Sequence, residues 1–154
     1  MGKNTEKLQA KQHRLLYDPT VQDVDILLAG LADGVVATPL TPGSDVMASL
    51  RDTLADSGLR FLHILGHGAP GEVFLSGQRI DADRWRKEAE TPIPRINPIQ
   101  INFWSCRTGE GELGMSFINT VAQTSNAFVN AASGYVGHES KGGCWDLEIG
   151  RAHV

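Results

Sequence analysis

LRFLHILGHG, residues 59–68, is the stretch on which the fold turns. It is nearly all apolar and of strand length, and a run of that kind belongs to a central strand of a parallel sheet, buried on both faces. A second such run, IQINFWSC, spans residues 99–106. Between and around the two, the chain alternates strand-like with helix-like segments. That order predicts an α/β domain with a largely parallel sheet and helices on both faces.

The flanking segments fill in the rest. HRLLYD (13–18) reads as a first strand, closed by Pro19. VQDVDILLAGLADG (21–34) carries Val21, Val24, Leu27, Leu28 and Leu31 at helical spacing, with Gly34 as the residue after its end. VVATPL (35–40) is a short strand. Ser44 stands as the N-cap of a helix whose stripe is Val46, Met47, Leu50 and Leu54. GEVFLSGQRID (71–81) reads as a hairpin or ribbon, followed by a helical segment, DADRWRKEAE. TPIPRINP (91–98), with three prolines, is a loop. GELGMSFINTVAQTS (111–125) is a helix with Leu113, Phe117, Val121 and Ala122 on one face. NAFVNAAS (126–133) is a strand, GYVGHESKGG a loop, and CWDLEIG a terminal strand. Residues 1–12 form a polar N-terminal segment, and 13–154 a single domain.

Bulk numbers narrow the function. The chain has 154 residues, 41% hydrophobic and 21% charged, with a net charge of -4. This suits one domain that holds its core without staples. Scattered Lys and Arg with a net negative charge give no footprint for nucleic acid. No apolar run approaches the roughly 20 residues of a membrane span. The polar N-terminus lacks the apolar centre of a secretory signal. The expectation is a soluble chain, either cytoplasmic or a module of a longer exported protein. Its oligomeric state is open.

In open α/β sheets, ligands bind outside the carboxyl ends of the strands. His67 ends one central run and Cys106 the other. A thiol there can be a small core residue, a metal ligand, half of a disulfide with Cys144, or a nucleophile. As a nucleophile it needs a base, which His67 supplies if the strands are neighbours. It also needs donors for a developing oxyanion, and the backbone N–H groups of Gly68 and Cys106 fit that role. Trp104, Ser105, Ser133 and His138 are candidates for lining a substrate cleft. His63 reads as a packed core histidine. Ile64 stands where a helical zinc motif needs Glu, and no His or Cys pair has metal-binding spacing. The glycines around GEGELG do not form a nucleotide-binding loop. Asp25, Asp45, Asp81 and Asp83 read as caps and solvated faces. Glu72 and Asp146 are further acidic residues that a basic side chain or calcium would use, although nothing in their spacing selects them.

LHILGHGAPGEVFLSG, INFWSCRTGEGELGMSFINTVAQ and NAFVNAAS together resemble the caspase-like (clan CD) cysteine peptidases. Within that clan, the pattern is most similar to the bacterial domain of unknown function 4347. The likeness covers roughly residues 13–136. It implies a caspase-like three-layer α/β/α sandwich with a mainly parallel central sheet. It further implies His67 as general base, Cys106 as nucleophile, a protein or peptide substrate and no cofactor. Gly66 stands where the pattern often has Ser, and Trp104-Ser105 replaces a small pair. The alternative is a catalytically silent module that acts as a structural or interaction domain of a larger bacterial surface protein.

Overall fold

The structure, a computed structural model, describes residues 12–89, 97–137, 143 and 147–150. In chain order the elements are β1 (His13–Tyr17), α1 (Val24–Ala29), β2 (Val35–Pro39), α2 (Val46–Leu54), β3 (Phe61–Leu65), β4 (His67–Ala69), β5 (Glu72–Leu75), β6 (Gln78–Asp81), α3 (Ala82–Glu88), β7 (Ile99–Trp104), α4 (Gly111–Ser125), β8 (Ala127–Ala131) and β9 (Glu148–Gly150). The main sheet runs β2-β1-β3-β7-β8-β9. Its first five strands are parallel, and β9 pairs antiparallel at the edge. The α/β class and the mainly parallel sheet are therefore as the sequence implied. Most of the proline loop (91–96) and the N-terminal segment 1–11 lie outside the described residues.

Strand order places the helices. From β1 the chain steps outward to β2, and from there every crossover steps the other way. Right-handed crossovers then set α1 on one face and α2, α3 and α4 on the other. The reversal lies between β1 and β3, where open α/β sheets form their binding crevice.

The core fills the α2–α4 face. Leu62 pairs with Ile101 and Ile64 with Phe103, and all four are buried. Val46, Met47, Leu50 and Leu54 pack α2 down as its stripe predicts. Trp85 of α3, Phe103 of β7 and Phe117 of α4 meet edge to face, with centroids 5.2–6.3 Å apart. The Trp85 indole N–H is satisfied by Ser125 Oγ at 3.1 Å. Each such buried side chain stabilises the fold by about 1.5–3 kcal/mol.

The opposite face corrects the reading of both central runs as buried on both sides. Phe61, His63, Gln100 and Trp104 point there and are only half-buried. They are organised by polar contacts. Asn130 Nδ2 and Gln100 Nε2 both donate to Asn102 Oδ1, at 2.6 and 3.1 Å. His63 Nδ1 accepts from Trp104 Nε1 at 3.2 Å and lies 3.3 Å from Asn102 Nδ2. His13 stacks on Phe61 with centroids 4.4 Å apart.

Local corrections have physical causes. The α2 cap is Asp45, whose carboxylate accepts from Ala48 N at 3.1 Å. Ser44 instead turns its hydroxyl back to Thr41 O. Asp81 caps α3 in the same way as Asp45 caps α2. Leu113 is 68% exposed, whereas α4 buries Phe117, Val121 and Ala122. The helix expected over 21–34 shrinks to Val24–Ala29, ends at Gly30 and buries no residue. Among the described residues no helix is long and apolar enough to cross a membrane.

Candidate active site

Register decides where the reactive pair stands. Leu65 of β3 pairs with Trp104 of β7. His67 and Cys106 each lie two positions further along the chain, so they leave the sheet at the same level. Adjacent strands are about 4.8 Å apart. Both residues line one cleft of about 760 Å3 at the carboxyl edge of the sheet.

His67 does not end β3, as expected, but begins a second sheet. Gly66 breaks the run, and β4, β5 and β6 form an antiparallel ribbon. Two glycines permit this. A Cβ on Gly66 would meet Leu75 Cδ2 at 2.5 Å. A Cβ on Gly68 would meet Cys106 O and Thr108 Oγ1, both at 2.5 Å. Gly68 thus lets the ribbon lie against the turn that carries the thiol. At the ribbon's tip, Ser76 (φ 50°) and Gly77 (φ 83°) join β5 to β6. Two positive φ values in a two-residue loop are what a type I′ hairpin needs.

Cys106 sits in the turn after β7, not in the strand. Ser105 and Thr108 are buried and their hydroxyls lie 2.6 Å apart. Thr108 Oγ1 also reaches Glu72 O at 3.1 Å, and Gly71 N donates to Thr108 O at 3.0 Å. Arg107 takes the left-handed region (φ 60°), and its N–H donates to Gly134 O at 2.8 Å. The thiol is free and half-buried. Its sulfur accepts from Val136 N at 3.4 Å and faces Val136 O at 3.7 Å. Arg107–Glu110 separate it from the start of α4.

His67 has a partner that the sequence reading missed. Its Nε2 lies 3.2 Å from Thr20 Oγ1. That hydroxyl donates to Asp18 Oδ1 at 2.7 Å, and Thr20 N donates to the same oxygen at 2.8 Å. A hydroxyl has one proton, and this one is given to Asp18. Toward His67 it can only accept, so Nε2 carries the imidazole proton and Nδ1 keeps its lone pair. Asp18 is 1% exposed, and its second oxygen accepts from Ser76 N at 2.8 Å. Burial alone pushes this carboxyl's pKa up. Hydrogen bonds from Thr20 and Ser76, with the His67 charge nearby, outweigh it and hold the pKa below the usual 3.8. The signal available in the sequence was DPT (18–20), a polar cluster at the carboxyl end of a strand beside the switch point.

A family model described as Domain of unknown function (DUF4347) matches residues 15–154. The chain belongs to this family. No curated protein matches it.

The other candidates in this DUF4347 chain divide. Trp104 lines the cleft and is half-buried, held by His63. Ser105 reaches the cleft wall but spends its hydroxyl on Thr108. Ser133 lies apart, in a shallow depression with Gly109, Glu112, Met115 and Asn119. His138, Cys144 and Asp146 lie outside the described residues. His63 is on the α1 face of β3, away from the ribbon that bears His67. Burial, and then the charge of His13, lower its pKa below the usual 6.5. Glu72 is engaged by Arg79. Val21 and Leu27, expected on the buried stripe of the helix over 21–34, line the cleft instead, with Ile26 beside them.

Proposed function

We propose that the chain is a cysteine endopeptidase of the caspase-like type, with His67 and Cys106 as its dyad. The observation that carries this reading is the shared level of the two residues past the paired Leu65 and Trp104, in one cleft. His67, with its proton on Nε2, offers Nδ1 as the base. It takes the Cys106 proton, and the thiolate attacks the peptide carbonyl carbon. The oxyanion that forms is met by the backbone N–H groups of Gly68 and Cys106. The C–N bond then breaks, and the imidazolium returns its proton to the leaving amine. Water, deprotonated by His67, attacks the thioester, the C–S bond breaks and the thiol is restored. Thr20 and Asp18 orient the imidazole.

The test is the rate of Cys106 alkylation by iodoacetamide against pH, beside His67→Ala. An assembled dyad gives rapid alkylation of Cys106 at neutral pH, slowed by His67→Ala. Cys106→Ala then abolishes turnover of peptide substrates. An alkylation profile indifferent to His67 sinks the proposal.

A silent binding module is the second reading, and one observation favours it. Among the described residues, no hydrogen bond joins His67 to Cys106; the sulfur is engaged by Val136 and the imidazole by Thr20. Catalytic hydrogen bonds often tighten only when substrate binds, so the alkylation profile decides between the two.

A further inference from the structure

α1 is the one described helix that buries nothing, yet its sequence is apolar. Ile26 is 72% exposed. A six-residue helix with no buried side chain contributes little to the core, and two of its apolar residues, Ile26 and Leu27, line the cleft. Val21, Ile26 and Leu27 form one wall, with Leu65, Trp104 and Val136 completing it around the Cys106 sulfur.

The charges around that wall are sparse. Among the described residues no Lys or Arg lines the cleft, and its one basic side chain is His67, the proposed base. Asp23 is the one acidic side chain that lines it among the described residues, and it is solvent-exposed. An ion pair made there is screened and weak. A charged group entering such a cleft loses water without a compensating partner, whereas an aliphatic one gains by leaving water.

We propose that the cleft selects peptides whose residue on the acyl side of the scissile bond is large, aliphatic and uncharged, of the leucine type. This rests on the cysteine-peptidase reading above and adds the substrate class. α1 is then a specificity element, and Ile26 its most exposed determinant.

Three tripeptide acyloxymethyl ketones test this. They differ only in the residue that bears the ketone: leucine, aspartate or arginine. In each, the Cys106 thiolate forms a C–S bond to the methylene carbon, and the carboxylate leaves with the bonding electron pair. Labelling is followed by mass and peptide mapping, with Cys144 as internal reference. Leucine is expected to label Cys106 at least ~10-fold faster than either charged probe, the scale on which apolar pockets discriminate. Ile26→Glu is expected to reduce the leucine rate by about 10-fold, since it removes apolar surface that the bound side chain would cover. Its exposure makes the substitution tolerable to the fold. If aspartate or arginine equals or exceeds leucine while labelling still depends on His67, the substrate class is wrong and the dyad stands. If Ile26→Glu leaves the leucine preference intact, α1 is not the determinant. If no probe labels Cys106 faster than Cys144, the peptidase reading fails and the inference fails with it.

Discussion

Asp18 and His67 are joined through a single hydroxyl. Thr20 Oγ1 is 2.7 Å from Asp18 Oδ1 and 3.2 Å from His67 Nε2. A buried anion and an exposed imidazole are thereby linked across the crevice between β1 and the ribbon. The link fixes the imidazole proton on Nε2. Thr20→Val removes the relay, and the expected result is loss of the Nε2–H tautomer in imidazole 15N spectra. The Cys106 alkylation rate near neutral pH is expected to drop by about 10-fold, the lower range for a misdirected base. A variant with an unchanged tautomer would show that the hydroxyl does not orient the ring.

Asp18 also has a structural task. Its carboxylate satisfies Ser76 N at the ribbon tip and Thr20 N in the loop after β1. Asp18→Ala leaves those donors without this acceptor. The expected loss is about 1–3 kcal/mol for each orphaned donor, read by urea denaturation. Because the folded pKa lies below the usual 3.8, the unfolded chain binds the proton more readily. The stabilisation is complete above 3.8 and is lost as pH falls through the folded pKa. Wild type should therefore lose stability below about pH 4 more steeply than Asp18→Asn.

Gly68 is constrained by the wall behind it. A methyl group there meets Cys106 O and Thr108 Oγ1 at 2.5 Å, and Cys106 O is backbone. Gly68→Ala must push the ribbon off the thiol-bearing turn. A loss of about 1–3 kcal/mol is expected, as for other overpacked sites. A faster alkylation of Cys106 by small reagents should accompany it. Unchanged stability would show that the ribbon and the turn are not packed together.

His63 gives a second pH response on the other face. Its folded pKa is lowered by burial, with His13 adding to the effect. Between that pKa and 6.5 the unfolded chain holds more protons, so stability falls as pH drops through this window and levels off below it. The Nδ1 that accepts the Trp104 indole N–H is the atom that protonation would occupy. The melting midpoint and the Trp104 fluorescence should change together on acidification from neutral pH. His63→Gln should flatten both.

The central strands were legible in the chain because burial writes itself as an apolar run. FLHIL and IQINFW are strands β3 and β7, adjacent and parallel. Helix α4 was legible over its whole length, from Gly111 to Ser125, because its stripe and its flanking glycine and asparagine are local signals. The positions of His67 and Cys106 at one edge of the sheet follow from those strands.

α1 was misread for a physical reason. An apolar stripe at helical spacing states that a face avoids water, but not whether core or cleft receives it. Leu113 misled in the same way at the start of α4, where it stays exposed. The Asp18–Thr20–His67 relay joins residues 47 to 49 positions apart, and no local pattern encodes it. The sequence by itself determined the alternation of strands and helices, the parallel sheet and the family, because propensity and burial act on neighbouring residues. Only the tertiary structure decided that His67 opens a ribbon, that Gly68 backs the Cys106 turn, and that a buried carboxylate stands behind the imidazole. Those relationships depend on which surfaces the crossovers bring together.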